Sequence, residues 1–257
     1  MQKLDSALSP IKRHLPLLSR LFLVFTFIED AIRVQTQFDD QTWYLQNHRG
    51  FGYAFAWLIL VINVLTMWIG SILVIANKYT IYACAGLAFV VLNQIIVYGM
   101  LTDIIFISRS FAVLGGLLLL YVYANKKKYD QFSMFDFNKT QAYLQLTSRL
   151  LIVCLFLSIV FGGEMDIFRG IVSIAGLFCC AGILLGYQSN ASTIGLVVLM
   201  TVFNMFMNNW WSLHHQHPHR DFLKYDFFQT FSILGGLILL VYVGPGEVSL
   251  DERKKAI

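Results

Sequence analysis

Glu29, Asp30 and Arg33 stand three and four positions apart in an otherwise apolar stretch, a spacing that brings the guanidinium beside either carboxylate on one face of a helix. Asp103 and Arg109 flank the start of a second apolar run, and Asp221, Lys224 and Asp226 the start of a third. Ionisable groups at membrane depth are costly and face protein or a water-filled cavity. Two kinds of chemistry suit such a set. Mutual ion pairs would fix helix register, whereas a carboxylate left without a cation would receive a cationic ligand. The second reading requires at least one unpaired acid.

The run His214-His215-Gln216-His217-Pro218-His219 is the densest local cluster. Histidines so close together can bind a transition metal or respond to pH between about 5 and 7. The proline and the loop setting argue against a fixed coordination shell, and an ordinary polar loop is the expectation. Cys84, Cys154, Cys179 and Cys180 all fall in apolar runs without redox or zinc spacing, so they read as small hydrophobes. Nothing resembles a Gly-rich phosphate loop, a nucleophile elbow or a paired-carboxylate active site. A protein without enzymatic activity, metal or cofactor is expected.

The elements that position these groups must be membrane helices. Of 257 residues, 57% are hydrophobic and only 13% charged, and the mean hydropathy is +0.64. A soluble domain carries about 25% charged residues. A single soluble core, a disordered chain and a disulfide scaffold are thereby excluded, and a net charge of +4 is too small and dispersed to argue for nucleic acid. A bilayer core about 30 Å thick takes roughly 20 helical residues to cross. The uncharged stretches Gly50 to Asn77, Tyr79 to Thr102 and Phe227 to Gly246 each supply one span. The stretch Gly170 to His219 is too long for one helix and divides at Gly186-Tyr187-Gln188-Ser189-Asn190-Ala191-Ser192-Thr193. Leu15–Val34, Ile104–Ala124 and Tyr143–Gly163 complete the set, although they hold Arg20 with Glu29 and Asp30, Arg109, and Arg149 respectively. The spacing thus predicts an all-α polytopic membrane protein of about eight transmembrane helices, or seven if the first lies along the interface. Glu29-Asp30 stands where small residues should precede a signal cleavage site, so the first span is expected to be retained.

The two halves match in order. Ser19-Arg20-Leu21 corresponds to Ser148-Arg149-Leu150, Gly70-Ser71-Ile72-Leu73 to Ala181-Gly182-Ile183-Leu184, and Asn93 to Asn204. Leu114-Gly115-Gly116-Leu117-Leu118-Leu119-Leu120 corresponds to Leu234-Gly235-Gly236-Leu237-Ile238-Leu239-Leu240. Four spans per unit would make two parallel four-helix repeats, inserted the same way up. The expected division is 1–128 for the first repeat, 129–142 for a cytosolic linker, 143–246 for the second repeat and 247–257 for a cytosolic tail. The ionisable residues are not duplicated, so any site is asymmetric. The larger share of the 19 Lys and Arg falls on the side of the termini, which makes that side cytosolic and leaves an acidic lumenal or extracellular face. The sequons Asn138-Lys139-Thr140 and Asn190-Ala191-Ser192 then lie on or near the cytosolic face and should carry no glycan.

The chain ends Asp251-Glu252-Arg253-Lys254-Lys255-Ala256-Ile257. Lys254 and Lys255 occupy the positions of a dilysine signal, an address read by the retrograde coat. The stretch Asp221-Phe222-Leu223-Lys224-Tyr225-Asp226-Phe227-Phe228-Gln229-Thr230, with its continuation through Gly235-Gly236 and Gly244-Pro245-Gly246 to the dilysine tail, resembles the Surfeit locus protein 4 family. Thr26-Phe27-Ile28-Glu29-Asp30-Ala31-Ile32-Arg33 is similar to the family's first-span signature, with Ala31 in place of the expected Gly, and Asp103, Arg109 and the Gly-Gly-Leu-Leu-Leu-Leu run also fit. The likeness covers nearly the whole chain; the histidine cluster is not part of it.

The resemblance implies a multi-pass receptor of the endoplasmic reticulum membrane that cycles through the ER-Golgi intermediate compartment and early Golgi. Its partners would be lumenal secretory cargo proteins, the COPII coat on the way out, the COPI coat through Lys254 and Lys255 on the way back, and membrane lipid. The family is understood to read the amino-terminal residues exposed by signal-peptide cleavage. A cargo ammonium would then pair with one of Glu29, Asp30, Asp103, Asp221 or Asp226, beside Arg33 and Arg109. Tyr225, Phe222 or Trp211 would take the apolar side chains that follow. The competing reading is a small-molecule or lipid carrier of the early secretory pathway, because a parallel repeat with asymmetric intramembrane charges also suits transport. A membrane oxidoreductase ranks third, lacking paired thiols and evident haem ligands.

Overall fold

The computed structural model describes residues 14–129, 142–153, 167–214 and 219–244. Lys254, Lys255, Cys154, Asn138, His215 and His217 lie outside them, as do most of the 129–142 linker and the 247–257 tail. The elements are α1 (Leu15–Thr36), α2 (Phe38–Arg49), α3 (Tyr53–Ile75), α4 (Thr80–Val97), α5 (Ile104–Tyr129), α6 (Ala142–Val153), α7 (Ile167–Leu185), α8 (Ser189–Met207) and α9 (His219–Val243). Single 3-10 turns follow α4 at Met100–Thr102 and α8 at Trp210–Ser212. The described residues contain no strand.

Among the described residues five helices are long and apolar enough to cross a membrane: α3, α4, the Ile104–Asn125 part of α5, α8 with its following turn, and α9 from Arg220. The chain is therefore an all-helical polytopic membrane protein. Ala142–Val153 and Gly170–Leu185 are shorter apolar helices. At 22 residues α1 is about 33 Å long, enough to cross, but Arg20, Glu29, Asp30 and Arg33 make it too charged to pass on composition. It is buried instead by protein, packing most extensively against α9.

That contact depends on small residues. A Cβ on Gly235 would lie 2.7 Å from the Ser19 carbonyl oxygen and 2.5 Å from the Leu23 nitrogen, so α9 touches the backbone of α1. Gly115 meets α6 in the same way, 2.9 Å from the Ser148 carbonyl oxygen and 2.9 Å from the Ile152 nitrogen. Between these contacts α5 and α9 cross where a Cβ on Gly236 would come within 3.0 Å of the Gly116 Cα. Close backbone approach at small residues is how helices associate without a hydrophobic driving force in lipid.

Two turns and two arginines also correspond. After α3, Asn77 N–H donates to the Val74 carbonyl at 3.1 Å and Lys78 N–H to that of Leu73 at 3.1 Å. After α7, Gly186 N–H donates to Ile183 at 3.3 Å and Tyr187 N–H to Gly182 at 3.0 Å. Both are Schellman stops with the left-handed residue, Asn77 or Gly186, that this motif requires. The break in the longest uncharged stretch is thus three residues, shorter than composition suggested. Arg20 donates to the Ile75 carbonyl at 3.3 Å, and Arg149 to that of Ile183 at 3.4 Å. Each guanidinium satisfies orphan carbonyls at a helix end that carries partial negative charge.

Helix α2 was not apparent from the sequence. It begins with Asp39 and Asp40, ends with His48 and Arg49, and stops at Gly50 with φ 70°. Charges of that order complement the helix dipole, and the glycine adopts the left-handed C-terminal conformation. Arg49 reaches across to the end of α4 and donates from Nε to the Val97 carbonyl at 3.0 Å and from a terminal nitrogen to that of Ile96 at 3.3 Å. The short helix is thereby fixed across one end of the bundle.

Candidate functional site

At the end of the bundle where α2 lies, α1, α4, α5 and α9 enclose a cavity of about 470 Å³. Helix α9 contributes a stripe at helical spacing: Asp221, Phe222, Tyr225, Asp226 and Gln229. Arg33 of α1, Asp103 and Arg109 around the start of α5, and Gln94 and Tyr98 around the end of α4 complete most of the wall. Seven residues singled out from sequence, Arg33, Asp103, Arg109, Asp221, Phe222, Tyr225 and Asp226, therefore line one space although they come from three distant stretches.

The ion pairs divide the acids into two classes. Asp30 pairs with Arg33 and also accepts from Gln94 Nε2. Asp226 pairs with Arg109. Glu29 does not line the cavity; its Oε1 lies 3.2 Å from Lys224 Nζ in an ion pair. Lys224 in turn sits 5.9 Å from the centre of the Trp210 ring. Asp103 and Asp221 belong to the second class, with no cationic partner among the described residues. Asp103 Oδ1 caps α5, accepting from the backbone N–H groups of Ile105 at 3.0 Å and Phe106 at 3.1 Å. Asp221 Oδ2 accepts from Gln37 Nε2 at 3.0 Å. Both carboxylates are exposed at the cavity mouth.

Aromatic groups occupy one side. Tyr225 stacks on Phe106 with ring centres 6.3 Å apart and lies beneath the Arg33 guanidinium at 5.3 Å. Phe222 is exposed at the mouth, whereas Trp211 packs edge-on against Phe227 and is not part of the lining. Tyr98, just past the end of α4, is 2.7 Å from Gln41 Oε1. Burial pushes its phenol above the ordinary range, and the protonated hydroxyl donates to that oxygen.

The glutamines Gln37, Gln41, Gln94 and Gln229 are the polar amides of the lining that sequence reasoning missed, along with Tyr98 and Phe106. The available signal was their position: Gln94 and Gln229 lie in runs otherwise fit for lipid, where polar side chains are costly. Among the described residues no cluster of His, Cys, Asp or Glu has the geometry of a metal site, and Cys84, Cys179 and Cys180 are free thiols. Of the histidine run only the surroundings of His214 are described, and it is exposed.

The comparisons with known proteins bear on the whole chain. The model of the SURF4 family matches residues 1–257. The chain is 35% identical over 261 residues to a Surfeit locus protein 4 homolog of Schizosaccharomyces pombe, covering 99% of this chain and 86% of that protein. It is 36% identical over 250 residues to the ER-derived vesicles protein ERV29 of Saccharomyces cerevisiae, covering 95% of this chain and 78% of that protein. A Surfeit locus protein 4 homolog of Drosophila melanogaster is 37% identical over 248 residues, with 95% and 91% covered. No solved structure matches significantly. With the cavity built from the same stretches that suggested the resemblance, and the match running from end to end, the chain belongs to the SURF4 family.

Proposed function

We propose that the chain is a cargo receptor of the early secretory pathway, which binds soluble secretory proteins in the endoplasmic reticulum lumen through this cavity and loads them into COPII vesicles. The observation that carries the reading is the pair of mouth carboxylates, Asp103 and Asp221, which have no cationic partner among the described residues, beside a cavity whose other charges are paired. Such a space favours a ligand with positive charge and apolar groups, and a polypeptide amino terminus followed by apolar side chains has both. The name of the yeast relative, an ER-derived vesicles protein, supports residence in this pathway.

In this reading the chain makes eight spans in two parallel repeats, 1–128 and 143–246, joined by the 129–142 linker and followed by the tail. The matched glycine contacts, Schellman turns and arginine-to-carbonyl bonds support a duplicated unit. Both termini face the cytosol, the cavity faces the lumen, and Lys254 and Lys255 engage the COPI coat for return.

Co-precipitation of lumenal cargo, normalised to folded receptor, tests this. Asp103→Asn with Asp221→Asn should abolish cargo recovery at unchanged receptor level, whereas Glu29→Gln, Asp30→Asn and Asp226→Asn should reduce receptor level first. Full recovery with the mouth variant refutes the reading. The carrier alternative draws on one feature, a small chamber of about 10 Å³ beneath the cavity, where Asp30, Thr26 and Ser110 meet Phe27, Val91 and Val113, large enough for one water. Flux of a small solute in proteoliposomes would favour it.

A further inference from the structure

Gln229 lies on the cavity-facing stripe of α9, eight positions beyond Asp221 and so roughly 12 Å further in along the helix axis. It is 2% exposed. Its Nε2 donates to the Tyr225 hydroxyl at 3.3 Å, while its Oε1 has no hydrogen-bond partner among the described residues. A buried amide oxygen without a donor is destabilising, so this one is a position where a bound donor is favoured. Gln229, Gln94 and Tyr225 also separate the cavity from the small chamber beneath it, which makes them its floor.

We propose that the leading ammonium of a bound polypeptide seats on Gln229 Oε1 at this floor, one helical turn from the Asp226 carboxylate, after attraction by Asp103 and Asp221 at the mouth. The inference rests on the receptor reading and assigns the groups of that site separate tasks. A chain entering amino end first reaches the floor and leaves through the mouth without reversing. An ammonium carries three donors, and Gln229 with Asp226 at the i−3 position offers acceptors on one helix face. The mouth acids act over distance by raising the local concentration of cations. Gln229 acts only on contact.

The test uses the full-length protein in lipid nanodiscs and a fluorescent peptide with apolar residues after a free amino terminus. An otherwise identical peptide is dimethylated at that nitrogen, which keeps the charge and removes two donors, and a third is acetylated. Gln229→Leu should weaken the free-amine peptide by about ten- to a hundredfold, the range for a hydrogen bond to a charged group. Dimethylation should weaken binding to wild type comparably and add little in the variant. Should Gln229→Leu fold poorly, Gln229→Glu decides: it should tighten the free-amine peptide and leave the acetylated one unchanged. Wild-type affinity in Gln229→Leu, or no gain in Gln229→Glu, overturns the inference while leaving the receptor reading intact. Equal binding of acetylated and free-amine peptides overturns the receptor reading itself.

Discussion

Replacing Gly235 by Ala separates the contribution of close helix contact from everything else α9 does. The new methyl would lie 2.5 Å from the Leu23 nitrogen, 2.7 Å from the Ser19 carbonyl oxygen and 3.0 Å from the Leu23 Cα. All three are backbone atoms of α1, so no side chain can rotate away, and the helices must part by several tenths of an ångström at least. The same separation loosens the hydrogen bond from Ser232 Oγ to the Leu23 carbonyl one turn earlier. Overpacking of a fixed interface costs about 1–3 kcal/mol, and a weakened hydrogen bond adds about 1 kcal/mol. Alanine recovers up to about 1 kcal/mol in helix propensity. A net loss of about 1–3 kcal/mol follows. Gly170→Ala is the control, because a Cβ there meets nothing within 4 Å and only the propensity gain remains. Thermal unfolding of the purified proteins in one detergent reads both. Gly235→Ala should melt several degrees below wild type and Gly170→Ala at or above it. Equal melting of the two variants would refute the claim that α1 and α9 touch through their backbones.

Other consequences are as direct. Gly115→Ala should resemble Gly235→Ala, since its methyl meets the α6 backbone at 2.9 Å; wild-type melting would break the parallel between the two contacts. Glu29→Gln and Lys224→Met should each destabilise the protein, and a double-mutant cycle should show a coupling of about 1–3 kcal/mol; strict additivity would mean the pair contributes nothing. Lys254→Ser with Lys255→Ser should shift the receptor from the endoplasmic reticulum towards the Golgi by fluorescence microscopy, and an unchanged distribution removes the retrieval role.

Much of the framework was legible because lipid imposes a strong compositional rule. The uncharged runs hold α3, α4, α8 and most of α9, although α4 and α8 stop short of their runs and α9 begins eight residues before its own, at His219; the Gly115-Gly116 and Gly235-Gly236 pairs proved to be backbone contacts as their setting suggested. Pairing was less legible. Spacings of three and four allowed Arg33 either acid, and Asp30 took it because Glu29 has a partner in Lys224 from the other end of the chain. Helix α2 was hidden because its residues are neither apolar enough for a span nor strongly periodic, and its position depends on Arg49 finding carbonyls of α4. The cavity glutamines were passed over as neutral polar residues. Only the fold shows that they face a common space.

The hydrogen bond from Gln37 to Asp221 is the link that crosses the mouth from the end of α1 to α9. A cation arriving at Asp221 competes for the carboxylate with that amide, which is tethered to the same molecule and so acts at high effective concentration. Where the amide is displaced, the lost bond, about 1.5 kcal/mol at an exposed site and so at the low end for a bond to a charged group, lowers affinity by roughly tenfold relative to a bare carboxylate. On the receptor reading, in which the ligand is surrendered one compartment later, a built-in competitor of that size would shorten residence without weakening the initial electrostatic attraction. Gln37→Ala should therefore make a stickier receptor, quicker to retain than to deliver.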